Sequence, residues 1–282
     1  MKKILIITNR FKDVEQKNTE KVCAYLNAKG VKVQRVLVDR KVTSLDEALF
    51  DETDCAIILG GDGTMMQFAN QLSKYDIPMI GINLGHMGYL AEVDCNNVEA
   101  ALNKVMAGDY TVQERMMISG MITKDGNTVI KQNAINDVVI TRCGKLQVLN
   151  FNIYINGKLL KNYNADGVIL STPTGSTAYN LSAGGPIVDP GAEILIVTPI
   201  SPHTLMNRSL VLKASDYVEI EILSTHEDET DELMELCFDG KESVKLSAGD
   251  RVGVTSAGRH VKMIRLNEVS FLEVLHKKMK ES

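Results

Sequence analysis

From Asn164 to Tyr179 the chain reads Asn-Ala-Asp-Gly-Val-Ile-Leu-Ser-Thr-Pro-Thr-Gly-Ser-Thr-Ala-Tyr. A run of β-forming residues stops at Pro173. Thr174, Ser176 and Thr177 then crowd around Gly175, and a helix-forming segment follows. A turn of this kind offers free backbone N–H groups and side-chain hydroxyls to a polar ligand. Well upstream lies a second loop, Gly60-Gly61-Asp62-Gly63-Thr64. Its glycines let a phosphate approach the backbone, and the helix expected after it favours anions at its start. A carboxylate in such a cradle repels phosphate, unless it helps hold a metal that bridges phosphates or accepts a proton from an attacking hydroxyl. The same five residues also suit an ordinary turn in which Asp62 caps a helix. Two polar loops of different kinds, in different halves of the chain, point to a ligand site built between two domains.

Other residues bear on that site. Asn136-Asp137 stands at the head of the apolar run Val138-Val139-Ile140. Asn and Asp side by side can read a ribose diol or an adenine edge, or can mark a strand start or bulge. Asp166 precedes a buried strand and serves either as a ligand group or as a turn residue; Tyr179 is either a pocket ring or a core ring. Gly85-His86-Met87-Gly88 reads as a structural turn, and Pro199-Ile200-Ser201-Pro202-His203 as a rigid loop with a structural histidine. There is no Gly-x-x-x-x-Gly-Lys-Ser/Thr loop. Gly61-Asp62-Gly63 also fails as a dinucleotide fingerprint, because Met66 stands where a glycine is required.

The elements that must position these residues change character along the chain. Strands are expected at 3–8, 31–38, 55–59 and 77–82, alternating with helices at 15–29, 64–72 and 98–106. That alternation argues for a parallel sheet with helices on its faces. From Arg115 onward short alternating strands take over, at 117–123, 134–141, 149–155, 168–171, 194–198, 217–222, 251–255 and 261–265. Asp125-Gly126 and Asn156-Gly157 supply hairpin turns. The last segment, 271–280, is helical again. The expected fold is therefore α/β plus all-β. An N-terminal parallel-sheet domain (1–112) is followed by a β-sandwich-like domain (113–266) and a C-terminal segment (267–282) that returns to the first.

Bulk properties narrow the class. The chain has 282 residues and is 44% hydrophobic, which suits two domains. A net charge of −5 with no basic run argues against a nucleic-acid surface. The acidic run from Glu227 to Glu232 reads as a solvated loop. Five scattered cysteines without a Cys-x-x-Cys pair, five dispersed histidines, and no stretch of signal-peptide or transmembrane character lead us to expect a cytoplasmic protein with reduced thiols and no zinc site.

Together these residues resemble the NAD kinases, over nearly the whole chain. Four blocks carry the resemblance: Gly60 to Thr64; Asn136-Asp137-Val138-Val139; Asp166-Gly167 through Gly184-Gly185-Pro186; and Thr198 to His203. The first is shared with lipid kinases and phosphofructokinases, whereas Ser171 to Tyr179 is specific. The resemblance implies phosphoryl transfer from ATP to the 2′-hydroxyl of the adenosine ribose of NAD, giving NADP. A divalent cation, usually magnesium and held mainly through the phosphates, is implied, as is a homo-oligomer, dimer or tetramer. By the same resemblance Asp62 accepts the hydroxyl proton, and Gly60, Gly61, Gly63 and Thr64 face phosphates. Asn136 and Asp137 hold the adenosine. Thr174, Thr177, Ala178 and Tyr179 line its pocket with Leu181 and Ser182 nearby, and Asp166 reaches the nicotinamide end, across a subunit boundary. Three positions depart from the family pattern. Asp137 stands where Glu is usual, Asn164 where Arg is common, and Lys241 where Gln is frequent. The competing readings are a lipid or sugar kinase that shares the glycine–aspartate loop, and a non-catalytic NAD-sensing protein.

Overall fold

A computed structural model describes residues 1–39, 41–42, 44–85, 88–91, 93–144, 148–204, 207–224, 234–241, 243–266 and 270–281. His86 and Met87 of the second glycine turn, and the acidic run 227–232, lie outside the described residues. The chain divides into two compact units, Met1–Glu114 with Val261–Ser282, and Arg115–His260.

In the first unit four strands, Lys3–Asn9, Lys32–Val38, Cys55–Gly60 and Met79–Asn83, pair in parallel. In space the order is Met79–Asn83, Cys55–Gly60, Lys3–Asn9, Lys32–Val38. Met263, near the end of the strand Arg251–Arg265, pairs in parallel with Met79. Every residue of Cys55–Gly60 is buried, the signature of a strand covered on both faces. One face, with Ile4, Ile6, Ile57 and Leu59, shares its core with Val22 and Leu26 of the helix Lys17–Ala28 and Leu102 and Val105 of the helix Val98–Ala107. The helix Asp62–Lys74 buries Thr64, Met65, Phe68, Ala69 and Leu72. Those positions recur at helical spacing and form one apolar stripe. It crosses the sheet closely, because a Cβ added at Gly81 would lie 2.4 Å from Met65 Sδ.

The second unit is two layers of antiparallel sheet. One runs Leu210–Lys213, Ile194–Ile200, Gly167–Ser171, Asp137–Arg142, Met234–Phe238, Ser243–Leu246. The other includes Lys158–Ala165, Leu149–Ile155, Val218–Ile222 and the first part of Arg251–Arg265. Val138, Ile140, Val168, Leu170 and Leu236 of the first layer meet Phe151, Ile153, Val218, Ile220 and Val252 of the second in one core.

Three local expectations are corrected. The strand expected over 134–141 is two strands, Asn127–Ala134 and Asp137–Arg142. The carboxylate of Asp239 takes the backbone N–H groups of Ile135, Asn136 and Asp137 (3.1, 2.7 and 3.3 Å), so these amides leave the ladder. The helix after the hydroxyl turn is a 3₁₀ turn, Thr174–Thr177, and a single helical turn, Tyr179–Ser182. It stops because Gly184 turns to φ 82° and the Asn180 side chain donates to the carbonyls of Ser176 and Pro186. The two strands expected at 251–255 and 261–265 are one.

Candidate active site

Two constellations form, one in each unit. In the first, the chain leaves the buried strand Cys55–Gly60, and Gly61 in extended conformation precedes the helix Asp62–Lys74. Asp62 and Gly63 therefore sit in the first helical turn, where a negative side chain is favoured by the helix dipole. The Asp62 carboxylate reaches back to the segment 89–91. Oδ2 accepts the backbone N–H of Tyr89 at 2.6 Å, and Oδ1 accepts those of Leu90 and Ala91 at 3.1 Å each. A carboxylate offers about four acceptor sites, so one site, on Oδ2, remains for another proton. Gly88 makes room for this arrangement, since a Cβ there would lie 2.0 Å from Asp62 Oδ1. Thr64 is buried, and its Oγ1 accepts from Asn9 Nδ2 at 3.1 Å. Among the described residues nothing accepts the hydroxyl proton. That Oγ1 would be 2.7 Å from a Cβ at Gly60, so the hydroxyl lies over that glycine.

In the second unit Asn136 and Asp137 meet the hydroxyl turn. Thr172 Oγ1 donates to the Ile135 carbonyl at 2.5 Å and accepts the Gly175 N–H at 3.0 Å. The Thr172 N–H donates to the Asn136 carbonyl at 2.8 Å. Gly175 is needed here because a Cβ would lie 2.1 Å from that same carbonyl oxygen. Two of the three hydroxyls flanking Gly175 are spent on backbone groups of the protein itself. Ser176 Oγ donates to the Val188 carbonyl and accepts its N–H (3.3 and 3.1 Å), and Thr177 Oγ1 donates to the Thr174 carbonyl (3.4 Å). Thr174 differs. Its Oγ1 is buried without a hydrogen-bond partner, an arrangement that costs free energy unless a ligand or water completes it. Tyr179 and Leu181, at 45% and 40% exposure, present apolar surface beside it in sequence. Ala178 is half-buried and Ser182 exposed.

Asn164 and Asp166 are not gathered with this cluster. The strand Gly167–Ser171 pairs Ser171 with Asp137 at one end and Gly167 with Thr141 at the other. Four residue steps, about 14 Å at ~3.4 Å each, separate the ends. Asp166 lies at the far end, 3.4 Å from Arg142 Nη1. Asn164 is exposed and its carbonyl accepts the His203 N–H at 2.8 Å.

Sequence reasoning missed Arg142, Asn180 and the part played by Asp239. Asn180 is fully buried and ties Ser176, Pro186 and Thr198 together. Gly185 admits it, since a Cβ there would lie 2.1 Å from Asn180 Oδ1. The only local signal for Asp239 is Asp239-Gly240, a turn pair; both residues take positive φ, 50° and 64°.

The Asp137 and Asp239 carboxyls oppose each other in a buried place. Burial, and then the charge of Asp239, raise the Asp137 carboxyl to about 7. Burial raises Asp239 too, against its backbone donors and Lys241. Those donors favour charge on Asp239, so Asp137 is the member that holds the proton. A carboxyl raised on folding contributes fully below its unfolded value near 3.8 and loses that contribution as pH climbs through about 7. Between pH 4 and pH 8, urea midpoints of the wild type should therefore fall by more than those of Asp137→Asn, which keeps the shape and removes the titration. Parallel curves would contradict the assignment.

A family model described as the ATP-NAD kinase N-terminal domain matches residues 6–110, and one described as the ATP-NAD kinase C-terminal domain matches residues 135–266. A NAD kinase of Agathobacter rectalis is 41% identical over 283 residues, covering 99% of both chains. One of Lachnoclostridium phytofermentans is 42% identical over 283 residues, again 99% of both. Among solved structures, yeast NADH kinase complexed with NADH superposes with a TM-score of 0.88 at 24% identity, over 99% of this chain and 88% of that one. An Archaeoglobus fulgidus NAD kinase in complex with ATP gives 0.76 at 20% identity over 99% of both. At these identities the two structures speak for the fold. The two family models and the relatives define the class, that of the phosphoryl-transferring enzymes. The chain belongs to the NAD kinase family.

Proposed function

We propose that this protein transfers the γ-phosphoryl group of ATP to the 2′-hydroxyl of the adenosine ribose of NAD, making NADP, with Asp62 as proton acceptor. The observation that carries the reading is the Asp62 carboxylate at the carboxyl end of a buried parallel strand, fixed by three backbone N–H groups with one acceptor position open. Ligands in open α/β sheets bind at that end of the strands. A ribose hydroxyl is a poor nucleophile until its proton has somewhere to go, and the open Oδ2 position supplies the acceptor. The remaining catalysis is positioning and charge neutralisation.

In this reading Gly60, Gly61, Gly63 and Thr64 face the ATP phosphates, and Thr64 donates the hydroxyl proton that Asn9 leaves free. The β-rich domain, residues 113–266, takes the dinucleotide. Asn136 and Asp137 hold the adenosine, and a protonated Asp137 donates as well as accepts. Thr174 completes its hydroxyl on the ligand, while Thr177, Ala178, Tyr179, Leu181 and Ser182 line the pocket. Asp166 attends the nicotinamide end across a subunit boundary, and Asn164 attends the dinucleotide phosphates without the charge an arginine would bring. Among the described residues no three His, Cys, Asp or Glu side chains group to hold a metal. The residues fit a divalent cation, magnesium by preference, that arrives on the ATP phosphates and neutralises their charge. We read the protein as a cytoplasmic homo-oligomer, dimer or tetramer. Its free cysteines and the exposed Leu159, Leu160 and Val211 of the β-rich unit support that reading.

Incubation with ATP, magnesium and NAD tests the proposal directly. NADP is the expected product. NAD binding without product would favour the NAD-sensing alternative, and neither binding nor product would favour a lipid or sugar kinase.

A further inference from the structure

The loop after the first strand, Asn9-Arg10-Phe11-Lys12-Asp13, is fastened at both ends. The Asn9 carbonyl accepts the N–H groups of Lys12 and Asp13 at 3.0 and 3.1 Å, and Asn9 Oδ1 accepts that of Phe11 at 3.0 Å. Asn9 Nδ2 in turn grips Thr64 of the glycine loop. At the other end the Asp13 carboxylate is buried and accepts Thr19 N, Thr19 Oγ1 and Asn18 N at 2.8, 2.6 and 3.2 Å. Two cations project from this short loop. Arg10 is engaged with Asp39 at 3.5 Å. Lys12 makes no ion pair among the described residues. Its ammonium instead lies over the glycine loop: a Cβ added at Gly61 would be 2.6 Å from Lys12 Nζ, and one at Gly85 4.0 Å.

A pinned loop thus carries an exposed positive charge into space that Gly61 leaves open, beside the start of the helix Asp62–Lys74. Gly61 has an extended backbone, φ −156°, which any residue can adopt. What a side chain at position 61 would displace is the ammonium. A compact ammonium with three donors suits one phosphate as a point charge.

We propose that Lys12 is a further phosphate-binding residue of this enzyme, holding the γ-phosphate of ATP over Gly61 during transfer. The proposal rests on the reading that Gly60 to Thr64 face the ATP phosphates. In the step, the bond from the γ-phosphorus to the β,γ-bridging oxygen breaks and a bond from that phosphorus to the ribose 2′-oxygen forms. ADP leaves, and the hydroxyl proton goes to Asp62.

Lys12→Met keeps the stem and removes the charge, while Lys12→Arg keeps the charge. Lys12→Met should lower kcat/KM for ATP about 10²-fold, the scale of one lost charge-stabilising donor. The KM for NAD and the melting temperature should stay as in the wild type, because the side chain is exposed. Lys12→Arg should recover most of the loss. Gly61→Ala should weaken ATP use by the same route, so the double variant should fall short of the product of the two single effects. ATP affinity, measured by calorimetry without NAD, gives a second readout. If the wild type binds ATP, Lys12→Met binds it less tightly and no NADP forms, the phosphate role stands and the proposed reaction fails. If Lys12→Met keeps both ATP affinity and turnover within twofold, or loses them only in step with melting temperature, the role of Lys12 is overturned.

Discussion

Asp62→Asn is expected to bind both nucleotides and to lose ~10²–10⁴-fold of its turnover, the usual worth of a positioned general base. The structure adds a second consequence. Asn offers one acceptor oxygen, which can keep the N–H groups of Leu90 and Ala91, but its amide nitrogen then faces the N–H of Tyr89. Two donors opposed in a half-buried place cost roughly 1–3 kcal/mol, so a modest fall in melting temperature should accompany the loss of rate. Single-turnover kinetics with NAD and ATP near saturation separate the two effects, since the chemical step should slow far more than binding weakens. Turnover close to wild type would remove Asp62 from the mechanism. Gly88→Ala approaches the same carboxylate from the other side. Its methyl group would take the place of Asp62 Oδ1. The aspartate side chain would have to rotate away and leave the N–H groups of Tyr89, Leu90 and Ala91 without their acceptor, so this variant should be nearly inactive and should melt below the wild type.

Gly175→Ala is expected to be the most damaging single methyl group in the β-rich unit. The added carbon would lie 2.1 Å from the Asn136 carbonyl oxygen and 2.7 Å from Ser171 Oγ. The carbonyl cannot swing aside without giving up the Thr172 N–H. Overpacking of this kind costs about 1–3 kcal/mol. Because the displaced residue is Asn136, the KM for NAD should also rise, by as much as ~10²-fold if the shift approaches 1 Å, while the KM for ATP stays near wild type. Thermal melts and initial rates with each substrate varied in turn check both parts. An unchanged NAD KM in a folded protein would mean that Asn136 does not hold the dinucleotide.

The parts of the fold legible in the sequence are those whose burial is written locally. Cys55–Gly60 is apolar throughout because both of its faces are covered, and Met65, Phe68 and Leu72 recur at helical spacing because one face of their helix is. The strand Lys158–Ala165 escaped notice because it lies at a sheet edge with most of its side chains in water. Its place is set by backbone pairing with Leu149–Ile155, which leaves little mark on side-chain pattern. The site divides in the same way. Gly60 to Thr64 and Thr174 to Tyr179 announce themselves by residue type. The break at Ile135-Asn136 does not, because its cause, the carboxylate of Asp239, is far away along the chain. The crowd of hydroxyls was misleading in detail: Ser176 ties the turn to Val188, Thr177 fastens it to itself, and of the three only Thr174 is left unanswered.

The first unit closes around residues from both ends of the chain, for Ile264 and Leu266 share a core with Ile4, Ile57 and Ile82. During synthesis the ribosome therefore releases every residue of the β-rich unit before it releases the last pieces of the unit begun first. The β-rich unit can reach its final form on a nascent chain, while the loop Gly60 to Thr64 waits on a half-built platform until Ile264 and Leu266 have emerged.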